Sequence, residues 1–197
     1  MAVGAFASLV LLSSCGLLGE QTQRRENAYA TLLKPLAERG YYVFSPFLAK
    51  ELMEQESAAN AEDFIQGNVA PFYRVFGADA VLFTIIHRWE KVALQSKIEI
   101  DVEYLLRSTK TGDMLFSRRF EGAVDLSSDQ GGRGILGTLM DIVVGAISTS
   151  MTDKVVAARL ANRDALESLP AGAYHPRYLQ DKRDQVGPTH VTGRNLK

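Results

Sequence analysis

The chain has 197 residues and a formal net charge of −1, with 22 Lys and Arg set against 23 Asp and Glu. That length suits one domain plus tails, and a balance so close to zero gives no basic footprint for nucleic acid. The single cysteine, Cys15, rules out an intramolecular disulfide and a cysteine-held metal cluster.

Ala2 to Ser14 is short, apolar and rich in small residues, and runs into Leu12-Ser13-Ser14-Cys15-Gly16. Two readings stay open. In the first, residues 1–14 are a signal peptide ending in a lipobox, cut before Cys15, which then carries acyl chains such as palmitate. Two or three such chains hold a domain at a membrane, where a single chain binds only marginally. The run itself is too short for a transmembrane helix of about 20 residues. A signal peptide also has a positively charged start, and Met1 to Ser14 holds no Lys or Arg. In the second reading Ser8 to Ser13 is the first strand of the fold, and the true start lies upstream of Met1.

Gln21 to Arg39 places Tyr29, Leu32, Leu33 and Leu36 at helical spacing. Pro35 should bend that helix and Gly40 stop it. Tyr41-Tyr42-Val43-Phe44 reads as a short aromatic strand, Phe47 to Gln55 as a helix, and Asn60 as a cap for another helix through Ile65. Pro71 is placed to open a short helix ending near Phe76. Ala80 to Ile86 is apolar at almost every position, as in a strand covered on both faces.

Lys97 to Tyr104 alternates strictly, with Ile98, Ile100, Val102 and Tyr104 between Lys97, Glu99, Asp101 and Glu103. That period defines a strand with one apolar and one wet face. Thr109 to Asp113 supplies a polar turn containing Gly112, and Met114 to Val124 returns as the second arm of a hairpin. Ser127 to Gly134 is a glycine-rich loop, with no Gly-Lys-Ser/Thr to cradle phosphate. A long helix is predicted from Ile135 to about Arg163. Its stripe of Ile135, Leu139, Ile142, Val143 and Ile147 packs on the domain's own sheet or docks a second copy or partner. Residues 179–197 read as a polar, disordered tail. The order of elements predicts a single α/β domain over 15–178, with a mixed sheet, a C-terminal antiparallel hairpin and helices packed on it.

Four blocks carry a family resemblance. Pro35-Leu36-Ala37-Glu38-Arg39-Gly40-Tyr41-Tyr42-Val43-Phe44, Val75 to Leu82, Thr109-Lys110-Thr111-Gly112 and Leu169 to Pro176 together resemble a family of Gram-negative outer-membrane lipoproteins of unknown function. Its members were first noted as neisserial surface-antigen candidates. The resemblance implies an α/β fold like the TolB N-terminal domain and the periplasmic domains of CsgG and LpoB lipoproteins. It also implies an anchor at the outer membrane, with the domain facing the periplasm or exposed at the surface, and other envelope lipoproteins, a CsgG-like one among them, as partners. It brings no catalytic residues. Members have both a signal peptide and a separate first strand, whereas here one apolar segment precedes the first helix.

Candidate chemistry is sparse. Asp79 leads into the apolar strand, His87 and Trp89 stand where it runs out, and the three could line a ligand or contact site. His175 should fasten the C-terminal segment, and His190 falls in the tail. Glu99, Asp101 and Glu103 share a strand face, with Arg118 and Arg119 available across the hairpin as charge partners. No histidine pair is spaced for metal, no Gly-x-Ser-x-Gly elbow is present, and no cofactor is implied. The function expected is a non-enzymatic protein–protein interaction module of an envelope assembly, able to self-associate. The alternatives are a regulator of a peptidoglycan-synthesising enzyme, by likeness to LpoB, and a small-ligand-binding periplasmic domain.

Overall fold

The computed structural model describes residues 8–14, 30–44, 62–92, 97–125, 149–181 and 187–196. In chain order the elements are β1 (Ser8–Ser14), α1 (30–38), β2 (Tyr42–Val43), α2 (Glu62–Ile65), α3 (Ala70–Phe76), β3 (Ala80–Val92), β4 (Lys97–Ser108), β5 (Met114–Asp125), α4 (Thr149–Leu166) and β6 (His190–Leu196). The strands join one sheet in the order β2-β1-β3-β4-β5-β6. β1 runs parallel to both β2 and β3, β3, β4 and β5 are antiparallel, and β6 is parallel to β5. Parallel neighbours need a crossover between them. Here α1 carries the chain from β1 to β2, and α2 with α3 carry it on to β3. The α/β class and the mixed sheet predicted from sequence are what the structure has.

Each face of the sheet buries its own cluster. On one face Ala80, Leu82, Ile98, Ile100, Val102, Tyr104, Leu106, Phe116, Phe120 and Val124 meet Leu32 and Leu36 of α1 and Val156, Ala157, Leu160 and Ala161 of α4. On the other, Val81, Phe83 and Leu105 meet Phe64, Val69, Phe72 and Ala78. Full burial of one such side chain contributes about 1.5–3 kcal/mol. Ala80 to Phe83 therefore serve both layers, which is why that run reads as continuously apolar.

Turn chemistry fixes the joins. Pro71 lies in the first turn of α3, where a missing N–H costs nothing. Gly77, at φ 66°, ends that helix as its left-handed cap, its N–H bonded to Tyr73 O at 2.8 Å, while Ala78 N–H reaches Phe72 O at 3.4 Å. Pro35 lies inside α1; beyond it Arg39 N–H bonds Pro35 O at 3.1 Å, and Gly40 at φ 77° turns the chain into β2.

One tail-end expectation needs correction. Residues 190–196 are not a disordered tail but an edge strand, whose pairing with β5 draws on backbone groups and needs little apolar content. Ser8–Ser14 is a strand paired with β3 at six positions, from Leu9 with Ala80 to Ser14 with Ile85. That is the second of the two readings of the N-terminal segment. In this structure the strand lies between β2 and β3. Cys15 itself, the Phe47–Gln55 helix, the Asn60 cap, the Ser127–Gly134 loop and the stripe of Ile135, Leu139, Ile142, Val143 and Ile147 lie outside the described residues.

Candidate functional site

The three residues singled out for a ligand site do not converge. Asp79 precedes β3 and pairs with Lys110 Nζ at 2.9 Å, beside the hairpin turn. His87 is eight residues further along extended chain, about 26 Å away at 3.3 Å per residue. Its Nε2 lies 3.1 Å from Glu103 Oε2. Trp89 is only 5% exposed and belongs to the core cluster under α4. A β-bulge separates them: Ile86 pairs with Val102 and Arg88 with Asp101, leaving His87 as the extra residue. One added residue inverts the alternation of the strand. Even positions up to Ile86 face the α4 side, and after the bulge the odd-numbered Trp89 does. The strand also continues to Val92, past the point where its apolar run stops.

The bulge places His87 and Arg88 among the acidic side chains of β4. Arg88 Nη1 sits 3.3 Å from Glu99 Oε2. Arg119 grips Asp101 with two bonds, Nε to Oδ1 at 2.9 Å and Nη2 to Oδ2 at 2.7 Å. That bidentate contact holds the Asp101 carboxyl below the usual aspartate range. Further out, His190 Nε2 lies 3.8 Å from Glu121 Oε2. The three carboxylates thus each meet a basic side chain instead of facing solvent alone. Only half of the expected Arg118–Arg119 pairing forms. Neighbours on a strand point opposite ways, so Arg118 is buried, donates to Ser168 Oγ at 2.6 Å and lies over the Phe116 ring.

Three further arrangements carry polar groups that sequence reasoning missed. Arg107 donates to Phe64 O, Ile65 O and Gly67 O at 2.8–3.0 Å and to Gly112 O at 3.0 Å, so one guanidinium ties the end of α2 to the hairpin turn. Tyr104 donates to Asn162 Oδ1, and Asn162 Nδ2 donates to Thr31 Oγ1 at 2.9 Å, linking β4, α4 and α1 inside the core. Burial pushes the Tyr104 phenol far above its ordinary value. The third is an open cleft of about 440 Å³ between α1 and α4, with Pro35, Leu160 and Leu166 among its lining and Glu38, Arg39, Arg163, Asp164, Glu167 and His175 around them. Tyr104, Asn162 and Thr31, like Arg107 and the Phe64–Gly67 carbonyls, are 40 or more residues apart in sequence, so no local spacing signals those contacts.

Exposed apolar residues gather at the β2 side. Tyr42 is 58% exposed and packs edge-on against Phe44, which in turn touches Phe76. Tyr73 and Val75 of α3 are also exposed, Tyr73 beneath the Lys110 ammonium at 4.9 Å from the ring centroid.

Among the described residues no group of three or more His, Asp or Glu is placed to hold a metal ion. Among them, too, no helix is long and apolar enough to cross a membrane. The fold defines a single α/β domain built on a mixed sheet, with paired charges on one exposed face and aromatic side chains at one edge. A family profile described as "Putative lipoprotein GNA1162-like" matches residues 9–173. This chain belongs to the GNA1162-like lipoprotein family. It is 29% identical over 127 residues to "Putative lipoprotein NMB1124/NMB1162" of Neisseria meningitidis serogroup B, an alignment covering 64% of this chain and 58% of that relative. The crystal structure of lipoprotein GNA1162 from Neisseria meningitidis superposes with a TM-score of 0.49 at 24% identity, covering 68% of this chain and 93% of the other. The LpoB C-terminal domain from Salmonella enterica gives 0.36 at 16% identity, covering 62% and 85%. The profile begins within β1, so that strand is part of what the family shares.

Proposed function

We propose that this protein is a lipid-anchored, non-enzymatic protein-binding module of the cell envelope, its domain facing the periplasm at the outer membrane and binding other envelope lipoproteins. The observation that carries this reading is the outer face of β3, β4 and β5, where Arg88, Glu99, Asp101, Glu103 and Arg119 form a patterned lattice of charge. Patterned charge favours specific docking and steers encounter more than it adds affinity. Membership in a lipoprotein family supports the anchor. Confinement to a surface raises effective concentration, so interfaces of modest strength suffice. The cleft between α1 and α4 is the observation favouring the second reading, a small-ligand site.

The test is photo-crosslinking in cells from a benzophenone side chain placed at Glu99 or at Tyr42, followed by recovery of the linked species. Adducts from either probe that disappear with Arg88→Glu, and adducts from the Tyr42 probe that disappear with Glu99→Arg, are expected. Recovery of uncrosslinked monomer alone would refute the module. Labelling with an alkyne fatty acid separates the anchor from it, since label retained in Cys15→Ser places the acyl chains away from Cys15, and no label at all refutes lipid anchoring.

A further inference from the structure

The outer edge of β5 is closed by a strand whose described side chains, at residues 190–192, lie outside the core. Among the residues whose side chains are described, none after Leu169 belongs to either buried cluster. In β6 His190 and Thr192 are exposed and Val191 is only half-buried. Among the described contacts, the strand is seated by the ladder to β5, the bond from Arg119 N–H to Thr189 O at 2.7 Å, and the approach of His190 to Glu121. The ladder is irregular as well, with a shift between Phe120 and Gly122. The family profile stops at residue 173, so it takes in all of β5 and none of β6. The β5 edge therefore belongs to the shared domain, while the strand covering it lies beyond the shared part.

We propose that the β5 edge is a strand-acceptor site whose exchange partner is the His190–Leu196 strand of a second copy of this chain. Main-chain ladder bonds are indifferent to which molecule supplies the strand. The features that are not indifferent, Glu121 facing His190 and the register set by Thr189, are already matched to this one sequence. A second copy thus fits the edge with no change in contacts, and exchange of an identical element is a low-cost route to dimers. The chain allows the reach. Asp181 is pinned, its Oδ2 accepting the Ala171 N–H at 2.5 Å. From there to His190 nine residues extend up to about 30 Å, against a radius of gyration of roughly 16 Å for a domain of this length. This inference does not depend on the lipid anchor.

The experiment uses full-length chains on a Cys15→Ser background. One population carries Glu121→Cys and the other His190→Cys; they are mixed, concentrated, treated with a short bismaleimide and resolved on a denaturing gel, with linked peptides identified by mass spectrometry. The expected result is an interchain 121–190 link at least tenfold above that from Glu90→Cys mixed with His190→Cys. A synthetic peptide of residues 187–197 in excess should suppress it. The double variant at low concentration should give the same link within one chain. An interchain yield no greater than the Glu90 control overturns the exchange, and a double variant that fails to link overturns the pairing on which it rests.

Discussion

Gly40 and Gly77 both adopt left-handed backbone, at φ 77° and 66°, yet the space around them differs. A Cβ built at Gly77 meets nothing within 4 Å, whereas one at Gly40 would lie 2.2 Å from His175 N and 2.6 Å from its Cβ. Gly77→Ala should therefore cost only the conformational penalty of left-handed backbone, about 1 kcal/mol. Gly40→Ala adds a clash that only backbone movement relieves, and overpacking of that kind costs roughly 1–3 kcal/mol more. The total is about 3 kcal/mol. For a chain of this size each kcal/mol lowers Tm by about 2–4 °C, so drops of roughly 6–12 °C and 2–4 °C are expected. Thermal unfolding followed through Trp89, the single tryptophan and a buried one, reads both variants directly. Gly172→Ala, at a glycine without left-handed backbone, should show the clash cost alone, roughly 1–3 kcal/mol, because its Cβ would lie 2.4 Å from Gly40 O. A Gly40→Ala variant no less stable than Gly77→Ala would refute the close docking of residues 172–175 on the α1–β2 turn.

Arg107→Lys should destabilise by about 2–3 kcal/mol in urea titration, since one ammonium cannot serve carbonyls gathered by a planar fork. Tyr104→Phe leaves the buried Asn162 carbonyl without its donor and should cost about 1–3 kcal/mol, while Tyr104→Phe with Asn162→Leu should cost less than the two single changes added together, as a double-mutant cycle will read. The depressed Asp101 pKa gives a signed pH effect. Its stabilisation is complete above the unfolded value of about 3.9 and is lost as pH falls through the lower folded value. Asp101→Asn should flatten that acid limb of the stability curve, and an unchanged limb would count against the Arg119 contact.

The hairpin was legible because its period of two is strict from Lys97 to Tyr104 and its turn holds Gly112, at φ 76°. The blocks carrying the family resemblance were legible for a reason that only the fold explains, since they touch in pairs. The Pro35–Phe44 block meets the Leu169–Pro176 block through Gly172 N–H to Arg39 O at 2.7 Å, Tyr174 N–H to Gly40 O at 3.1 Å and Tyr41 Oη–H to Pro170 O at 2.9 Å. The Val75–Leu82 block meets the turn through Thr109 N–H to Asp79 O at 3.1 Å and the Lys110–Asp79 pair. The bulge at His87 stayed hidden, because a run apolar at every position carries no phase to break. β6 stayed hidden because an edge strand can be polar throughout. Asp79, His87 and Trp89 looked like neighbours only because extended chain separates residues that sequence spacing brings close.

The order of strands has a practical side. β1 and β6 stand four spacings apart, roughly 19 Å across the sheet at 4.8 Å each. A purification tag or fluorescent fusion joined after Lys197 would sit against the outermost ladder and obstruct it, whereas one joined ahead of β1 would leave that margin open. Reporters at the two ends are therefore not interchangeable, and assembly measured with one orientation alone would mistake the label's bulk for the protein's own behaviour.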